Sequence, residues 1–383
     1  MEHLVNSKVK QIELSGIRKF FNLVADYEDV ISLTIGQPDF PTPEHVKVAG
    51  MKAIDENFTT YTHNAGLIEL REAASQFLNK KYGLTYSPNN EIITTVGASQ
   101  AIDCTFRTIL ETGSEVILPS PVYPGYEPLI KLAGGTPVYV DTTKTDFKLT
   151  AELLAPYITE KTRCIVLPYP SNPTGVTLTD VELREIADLV RGKDIFVLSD
   201  EIYSELVYEG SHHSIAKHIR EQTIVINGLS KSHSMTGWRV GFVFAPEAIA
   251  KHLLKVHQYN VSCATSISQK AALEALTIGI DDANVMKHSY QERLDYVYDR
   301  LIQMGFDVVK PNGAFYLFPN ISQFKQSSFD FALSLVKNAG VALVPGSAFS
   351  EYGEGYVRLS YAYSMEQLKK AMDRMENYVT TLT

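Results

Sequence analysis

The chain has 383 residues, 45% of them hydrophobic and 21% charged, which is the balance of a globular protein long enough for two domains. Its formal net charge at pH 7 is −9 and no basic stripe occurs, so we do not expect nucleic acid as a partner. No apolar run approaches the ~20 residues of a membrane span, so no membrane association is expected.

Short apolar runs alternate with amphipathic helical patterns in the middle of the chain. Strands are predicted at residues 91–96, 115–118, 163–168, 194–199, 223–227 and 240–244, and helices at residues 99–110 and 180–190. Several runs are apolar almost throughout, which is typical of strands buried on both faces. The alternation predicts an α/β protein whose mainly parallel sheet has helices on both faces and binds ligands at the carboxyl ends of its strands.

From about residue 280 the pattern becomes that of a smaller α+β unit. Helices are predicted at residues 288–304, 328–338 and 366–379, strands at 341–344 and 356–360, and further apolar segments at 308–311 and 315–318. The proline-containing first 45 residues are expected to cross over and join this unit. We therefore predict an N-terminal segment at residues 1–45, a large domain at 46–279 and a small domain at 280–383.

Several common motifs are absent. Ser230 precedes Lys231 where a Walker A loop needs glycine, and neither the dinucleotide fingerprint nor the Gly-x-Ser-x-Gly elbow occurs. The first residues lack the apolar region of a secretory signal, and the three cysteines have no metal-ligand spacing, so we expect a cytoplasmic protein without a metal. His212 and His213 have no ligand partner at helical spacing, and we interpret them as part of a solvated loop.

Polar side chains follow several of the predicted strands. Lys231 lies just beyond the strand at 223–227, where burial would lower its pKa and make it a usable nucleophile, and Arg239 further on could bind a phosphate. Asp200 ends an apolar strand, where its carboxylate needs a cationic partner such as a protonated pyridine nitrogen. Tyr203, three residues further on, could reach the same ligand.

Two more segments complete this set. Asn172, in a proline-rich turn, could hydrogen-bond a phenolic oxygen, and a glycine turn opens a helix at residues 97–100, whose free amides would bind an anion. Each segment alone also fits an ordinary structure: a surface turn around Lys231, a helix cap at Asp200, a proline turn, or a helix capped by Ser99. Together they provide what a phosphorylated pyridine aldehyde needs.

The chain resembles the fold-type-I, class I and II aminotransferases along nearly its whole length. The resemblance rests on the loop at residues 228–241, on Asn-Pro-x-Gly at 172–175 and on Asp-x-x-Tyr at 200–203. It implies the fold type I of pyridoxal-phosphate-dependent transferases, with a mainly parallel seven-stranded sheet, pyridoxal 5′-phosphate as cofactor, amino-acid and 2-oxo-acid substrates, and a homodimer.

The resemblance also implies roles for individual residues. Lys231 would carry the cofactor covalently and move the substrate proton, while Asp200 would pair with the pyridine nitrogen. The remaining implied positions are Tyr203 and Asn172 at the ring hydroxyl, Tyr123 stacked on the ring, Ala98, Ser99, Gln100 and Arg239 at the phosphate, Tyr61 at the phosphate of the other subunit, and Arg358 and Gly36 at the substrate α-carboxylate.

Three details extend this interpretation. Gly228 stands where many relatives have a serine that contacts the phosphate, and Ser230 is the candidate substitute. Ile17 and Arg18 lie on the segment that covers the active site in relatives, so Arg18 is either a partner for a distal carboxylate or a solvated helix residue. Relatives use cis peptide bonds at the cofactor, and we expect them at Asn172-Pro173 and Ser120-Pro121.

The implied activity is transfer of an amino group from an amino acid to 2-oxoglutarate. Residues 15–20, 227–242 and 257–263 are similar to the bacillal aminotransferase A group, assigned to N-acetyl-L,L-2,6-diaminopimelate in lysine synthesis. Aromatic amino acids or aspartate are alternative donors. A carbon–sulfur β-lyase is a further alternative, as is a transcription regulator with an aminotransferase-like domain, although such regulators carry an added DNA-binding module for which some 45 residues leave little room.

Overall fold

The structure is a computed structural model that describes residues 1–24 and 27–382. Its strands are β1 (Ile31–Ser32), β2 (Ile92–Thr95), β3 (Glu115–Ser120), β4 (Thr136–Asp141), β5 (Thr162–Leu167), β6 (Phe196–Asp200), β7 (Thr223–Gly228), β8 (Gly241–Phe244), β9 (Tyr316–Leu317), β10 (Val341–Ala342), β11 (Val344–Pro345) and β12 (Val357–Ser360). Its α-helices are α1 (Ser7–Lys10), α2 (Gly16–Val24), α3 (Glu44–Asp55), α4 (Ile68–Tyr82), α5 (Gly97–Ile109), α6 (Tyr126–Ala133), α7 (Ala151–Leu154), α8 (Asp180–Val190), α9 (Ala216–Ile219), α10 (Leu229–Ser232), α11 (Glu247–Val261), α12 (Ser266–Thr277), α13 (Ala283–Gln303), α14 (Ser328–Ala339) and α15 (Met365–Val379).

A seven-stranded sheet forms the centre of the molecule, in the order β2-β8-β7-β6-β5-β3-β4. The five strands from β4 to β7 run parallel, and β8 is antiparallel to both of its neighbours, β7 and β2. The prediction of a mainly parallel seven-stranded sheet is therefore confirmed. The six predicted strands agree with the structure to within two residues at their ends, whereas β4 was not predicted.

Helices cover both faces of this sheet, because its inner strands are apolar on both sides. On β5, Ile165 and Leu167 pack into a core with α8, while Cys164 and Val166, on the other face, pack with α5, α6 and α11. Successive side chains of a strand point to opposite faces, so a strand with two buried faces must be apolar at nearly every position. Because β6 and β7 run parallel, their carboxyl ends lie at the same edge of the sheet.

The first and last parts of the chain meet in two small sheets. β1 pairs in parallel with β10, with Ile31 opposite Val341, and β12 lies between β11 and β9 in a three-stranded antiparallel sheet. The strand predicted at 341–344 is thus split between two sheets. β1 thus joins residues near the start of the chain to β10, and the division into a segment at 1–45 and domains at 46–279 and 280–383 stays a prediction. In the described ranges, no helix is long and apolar enough to cross a membrane.

Candidate active site

A cavity of about 720 Å³ opens beside the carboxyl ends of β5, β6 and β7 and against β9 and β12. It brings together most of the residues singled out in the sequence. Those that line it are Ile17, Gly36, Ala98, Ser99, Tyr123, Asn172, Asp200, Tyr203, Ser230, Lys231, Arg239 and Arg358. Two predicted residues do not line it. The Gln100 side chain turns back to accept a 2.6 Å hydrogen bond from the Val96 amide, and Tyr61 is 86% exposed on the surface.

Lys231 lies on α10, the short helix that begins directly after β7. Its Nζ atom donates a 2.6 Å hydrogen bond to the carbonyl oxygen of Gly36. Burial lowers the pKa of Lys231 to about 8, and the nearby positive charges of Arg358 and Arg239 act in the same direction. The sequence-based expectation of an amine with a lowered pKa therefore agrees with the geometry.

Asp200 is the last residue of β6 and is buried. One of its oxygens, Oδ2, accepts a 2.6 Å hydrogen bond from the Tyr126 hydroxyl, and Oδ1 accepts a longer one, 3.3 Å, from the amide of Ile202. Burial raises the pKa of Asp200 to about 6. No cation of the described ranges forms an ion pair with this carboxylate, so a cationic ring nitrogen would supply a partner that the chain itself does not.

The start of α5 forms the opposite wall of the cavity. The helix begins at Gly97 without a side-chain cap, so Ser99 lies in its first turn and is not the cap that was considered as the alternative. Gly97 has a φ of +72°, and a Cβ atom there would overlap the guanidinium of Arg239. An arginine packed against the first residue of a helix, whose amides are free, is suited to bind a phosphate. Ser230 lines the same cavity.

Arg358 lies on β12 and is 2% exposed. Its Nη1 atom donates to Asn172 Oδ1 at 2.9 Å and its Nη2 atom to the carbonyl oxygen of Thr34 at 2.5 Å, while Nε has no hydrogen-bond partner among the described residues. The rings of Tyr316 and Phe349 lie 4.6 and 5.0 Å from the guanidinium carbon. A buried guanidinium with no carboxylate beside it and a free donor is suited to bind an anionic ligand.

Several residues of the site were not predicted. Tyr126 donates to Asp200, and the Tyr316 hydroxyl lies 2.7 Å from that of Tyr203. Thr34 holds the side chain of Arg358 through its backbone oxygen. The position of Tyr126, three residues after Tyr123, could have drawn attention to it, but nothing in the sequence distinguishes Tyr316 from other apolar strand residues.

The interpretation of His212 as part of a solvated loop is wrong. Its side chain is buried, with Nε2 3.0 Å from Oε2 of Glu201, a carboxylate that is completely buried and follows Asp200 directly. Ser199 and Ser214 donate to the other oxygen of Glu201, at 2.8 and 2.5 Å. A buried carboxylate requires such partners, and this requirement draws the histidine inward.

The cis peptide bonds expected at Asn172-Pro173 and Ser120-Pro121 are both present. A third, at Tyr169-Pro170, was not predicted. All three lie in the turns that follow β3 and β5, beside the cavity.

Known proteins are similar to this chain along nearly its whole length. Over residues 28–375 the chain matches the family described as Aminotransferase class I and II. It is 66% identical over 379 residues to the "Probable N-acetyl-LL-diaminopimelate aminotransferase" of Bacillus subtilis (strain 168), with 99% of this chain and 96% of that protein covered.

Solved structures show the same similarity in three dimensions. An aromatic aminotransferase from Pyrococcus horikoshii OT3 has a TM-score of 0.90 at 43% identity, over 96% of this chain and 100% of that one. The aspartate aminotransferase from Thermus thermophilus with maleate has a TM-score of 0.93 at 35% identity, over 97% and 99%. This chain therefore belongs to the class I and II aminotransferases, the enzymes that move amino groups with pyridoxal 5′-phosphate.

Proposed function

We propose that this aminotransferase takes its amino group from N-acetyl-L,L-2,6-diaminopimelate and passes it to 2-oxoglutarate, as a step of lysine synthesis. The observation that carries the proposal is that, besides Arg239 at the phosphate, two arginines line the same cavity: the buried Arg358 and the exposed Arg18. Donor and acceptor both have two carboxylates, so each could use both cations. The name of the 66% identical relative supports the same donor.

The side chains of the cavity are suited to hold pyridoxal phosphate. We assign Asp200 to the ring nitrogen, Tyr203 and Asn172 to the ring hydroxyl and Tyr123 to the ring face. We assign the phosphate to Ser99, Ser230 and Arg239, together with the backbone amides of Ala98 and Gln100 at the start of α5. The assignment of Asp200 is supported by its burial without a cation, and that of Arg239 by its packing on the start of α5. The bound cofactor withdraws electrons from the substrate Cα and makes its proton acidic.

The protein then has to bind, orient and move a proton. Arg358 would bind the α-carboxylate beside Gly36 and thereby fix the Cα proton toward Lys231. The amine of Lys231, with its pKa of about 8, would accept that proton from Cα. It would then deliver the proton to the cofactor carbon that carries the substrate nitrogen. Ile17 and Arg18, on α2, would close over the outer end of the donor.

We also propose a homodimer in which Tyr61 contacts the phosphate site of the other subunit. Tyr61 and Tyr259 are 86% and 88% exposed. The segments of Tyr61 and Tyr259 adjoin, because Asn64 donates a 2.7 Å hydrogen bond to the backbone of Ser262. Large exposed apolar side chains grouped in this way are typical of a surface that another chain covers.

Aromatic amino acids and aspartate are the alternative donors, because solved relatives carry those names. The deciding experiment measures kcat/KM of the purified holoenzyme for the acetylated donor, phenylalanine and aspartate, with 2-oxoglutarate as acceptor and glutamate as the product detected. We expect the acetylated donor to be preferred by at least tenfold, a difference of about 1.4 kcal/mol. A preference for phenylalanine or aspartate would show that the proposed donor is wrong, and ammonia with pyruvate from cystathionine would indicate a β-lyase.

A further inference from the structure

Tyr316 contacts three parts of the site and has no assigned role. It lies on β9, opposite Ser360 of β12, and is fully buried. Its ring faces the guanidinium of Arg358 at 4.6 Å, and its hydroxyl lies 2.7 Å from that of Tyr203. The same hydroxyl occupies the space that a Cβ atom at Gly36 would need. Tyr316 therefore joins the carboxylate-binding arginine to the tyrosine beside the cofactor.

Two hydroxyls at this distance share one hydrogen, so one phenol donates and the other accepts. Among the described residues, the two phenols of Tyr203 and Tyr316 are each other's hydrogen-bond partner. In the proposed site Tyr203 donates to the ring oxygen, and a phenol has a single hydrogen to donate. Tyr203 can therefore only accept from Tyr316, whose hydroxyl has no other hydrogen-bond partner among the described residues, so Tyr316 is the donor of this pair.

We propose that Tyr316 is a positioning residue that donates its hydroxyl hydrogen to the Tyr203 oxygen and so directs the hydrogen of Tyr203 into the cavity. This inference rests on the proposed function, in which Tyr203 hydrogen-bonds the ring oxygen of the cofactor. A hydroxyl that accepts one hydrogen bond becomes a stronger donor in the next, so Tyr316 would strengthen the bond from Tyr203 to the ring oxygen.

The test is a pH titration of the visible absorption of the holoenzyme, which needs no turnover. Tyr203 stabilises negative charge on the ring oxygen, and that charge in turn holds the proton on the Lys231 nitrogen. A Tyr316→Phe variant keeps the ring and its contact with Arg358 but removes the hydrogen bond. The ring oxygen becomes more basic and the proton is held more tightly, so we expect the titration midpoint to rise by roughly half a pH unit.

The structure offers a matched control. Tyr361 and Tyr208 form a second buried pair of hydroxyls, 3.1 Å apart, in the same core and outside the cavity. Tyr361→Phe should leave the midpoint unchanged, and Tyr316→Phe added to Tyr203→Phe should produce no further shift. Equal midpoints in Tyr316→Phe and wild type, equal shifts in Tyr316→Phe and Tyr361→Phe, or an undiminished shift in the double variant would overturn the inference.

Failure of the proposed function would look different. If Tyr203→Phe alone leaves the midpoint unchanged, Tyr203 does not contact the ring oxygen, and both the assignment and this inference fall. A neutron structure of the wild-type holoenzyme tests the Tyr316 link without any variant. Deuterium bonded to the Tyr316 oxygen and directed at Tyr203 supports it, and deuterium on the Tyr203 oxygen directed at Tyr316 overturns it.

Discussion

The buried hydroxyl of Tyr126 donates a 2.6 Å hydrogen bond to Asp200, and within the described part of the chain no cation forms an ion pair with this carboxylate. Burial raises the pKa of Asp200 to about 6 from an ordinary value of 3.8. Without cofactor, the charged carboxylate therefore destabilises the fold at neutral pH. In the proposed function this destabilisation is offset when cofactor binds, because the same negative charge would pair with the protonated ring nitrogen.

We expect the Asp200→Asn apoprotein to be more stable than wild type at pH 7, by roughly 2–3 kcal/mol. The folded state binds the Asp200 proton more tightly than the unfolded state, so the advantage of Asn is present above pH 6 and is lost as the pH falls toward 4. Urea unfolding at pH 7 and pH 4.5 measures it. Asn keeps an acceptor for Tyr126, and Asp188→Asn, at an exposed carboxylate, is the control expected to change little. Equal stability of the Asp200→Asn variant and wild type at pH 7 would contradict the prediction. Separately, we expect the activity of the Asp200→Asn holoenzyme to fall on the order of a hundredfold or more.

The lowered pKa of Lys231 predicts how the apoprotein recaptures its cofactor. Only the neutral amine can attack the aldehyde, so the rate should rise with pH up to about 8 and then level off. Stopped-flow absorption between pH 6 and pH 10 measures this dependence. A rate that keeps rising toward the ordinary lysine value of 10.5 would show that the amine is not desolvated. Borohydride reduction and peptide mapping should place the label on Lys231, and label on another lysine would refute the assignment.

Removal of Arg358 should affect all amino acids alike. In the proposed function the guanidinium binds the α-carboxylate, which every substrate has, so Arg358→Ala should lower kcat/KM on the order of a hundredfold for the acetylated donor, phenylalanine and aspartate. Arg358→Lys should recover only part of this, because an ammonium cannot bind a carboxylate through two parallel hydrogen bonds. Initial rates with each donor give the comparison. A loss confined to one donor would place the α-carboxylate elsewhere.

Arg18→Ala should discriminate between donors. Arg18 lines the exposed side of the cavity, so its removal should lower kcat/KM about tenfold for the acetylated dicarboxylic donor and leave phenylalanine nearly unchanged. The neighbouring Lys19, which forms a 2.5 Å ion pair with Glu13, provides the control Lys19→Ala. If Arg18→Ala behaves like Lys19→Ala with both donors, Arg18 is a solvated helix residue.

Hybrid dimers test whether Tyr61 serves the other subunit. A hybrid of Lys231→Ala and Tyr61→Ala chains contains one site with both defects and one site with none. We expect such hybrids, refolded from mixed chains, to recover about half of the wild-type activity, as two-fold symmetry requires. Activity no higher than the mean of the two parent variants would mean that Tyr61 and Lys231 act in the same subunit or that no dimer forms.

The sequence predicted most of the central sheet because buried parallel strands are apolar at nearly every position. β4 was missed for the opposite reason. It is one of the two edge strands, begins with an exposed Thr136 and contains Pro137, so its pattern does not differ from that of a loop. The antiparallel direction of β8 could not be predicted from the sequence either, because the packing of residues 229–240 determines which way the next strand runs.

Within the site, the sequence indicated residues that directly follow strands and missed those brought in from elsewhere. Lys231 and Asp200 could be identified because a charged side chain at the end of an apolar strand requires an explanation. Tyr126 and Tyr316 reach their partners across 74 and 113 residues of chain, and no local pattern records such contacts. The burial of His212 was not predicted either, because the loop between it and Glu201, eleven residues earlier, has to fold back before the two side chains meet.

The pairing of β1 with β10 bears on the order in which the enzyme can be completed during its synthesis. Ile31 finds its strand partner only after Val341 has left the ribosome, and Thr34 can hold Arg358 only later still. The lysine, the aspartate and the helix start at Gly97 all belong to elements made earlier. A growing chain could therefore build the cofactor end of the cavity well before the end that binds a carboxylate, and the ability to select substrates would be the last property that the nascent enzyme acquires.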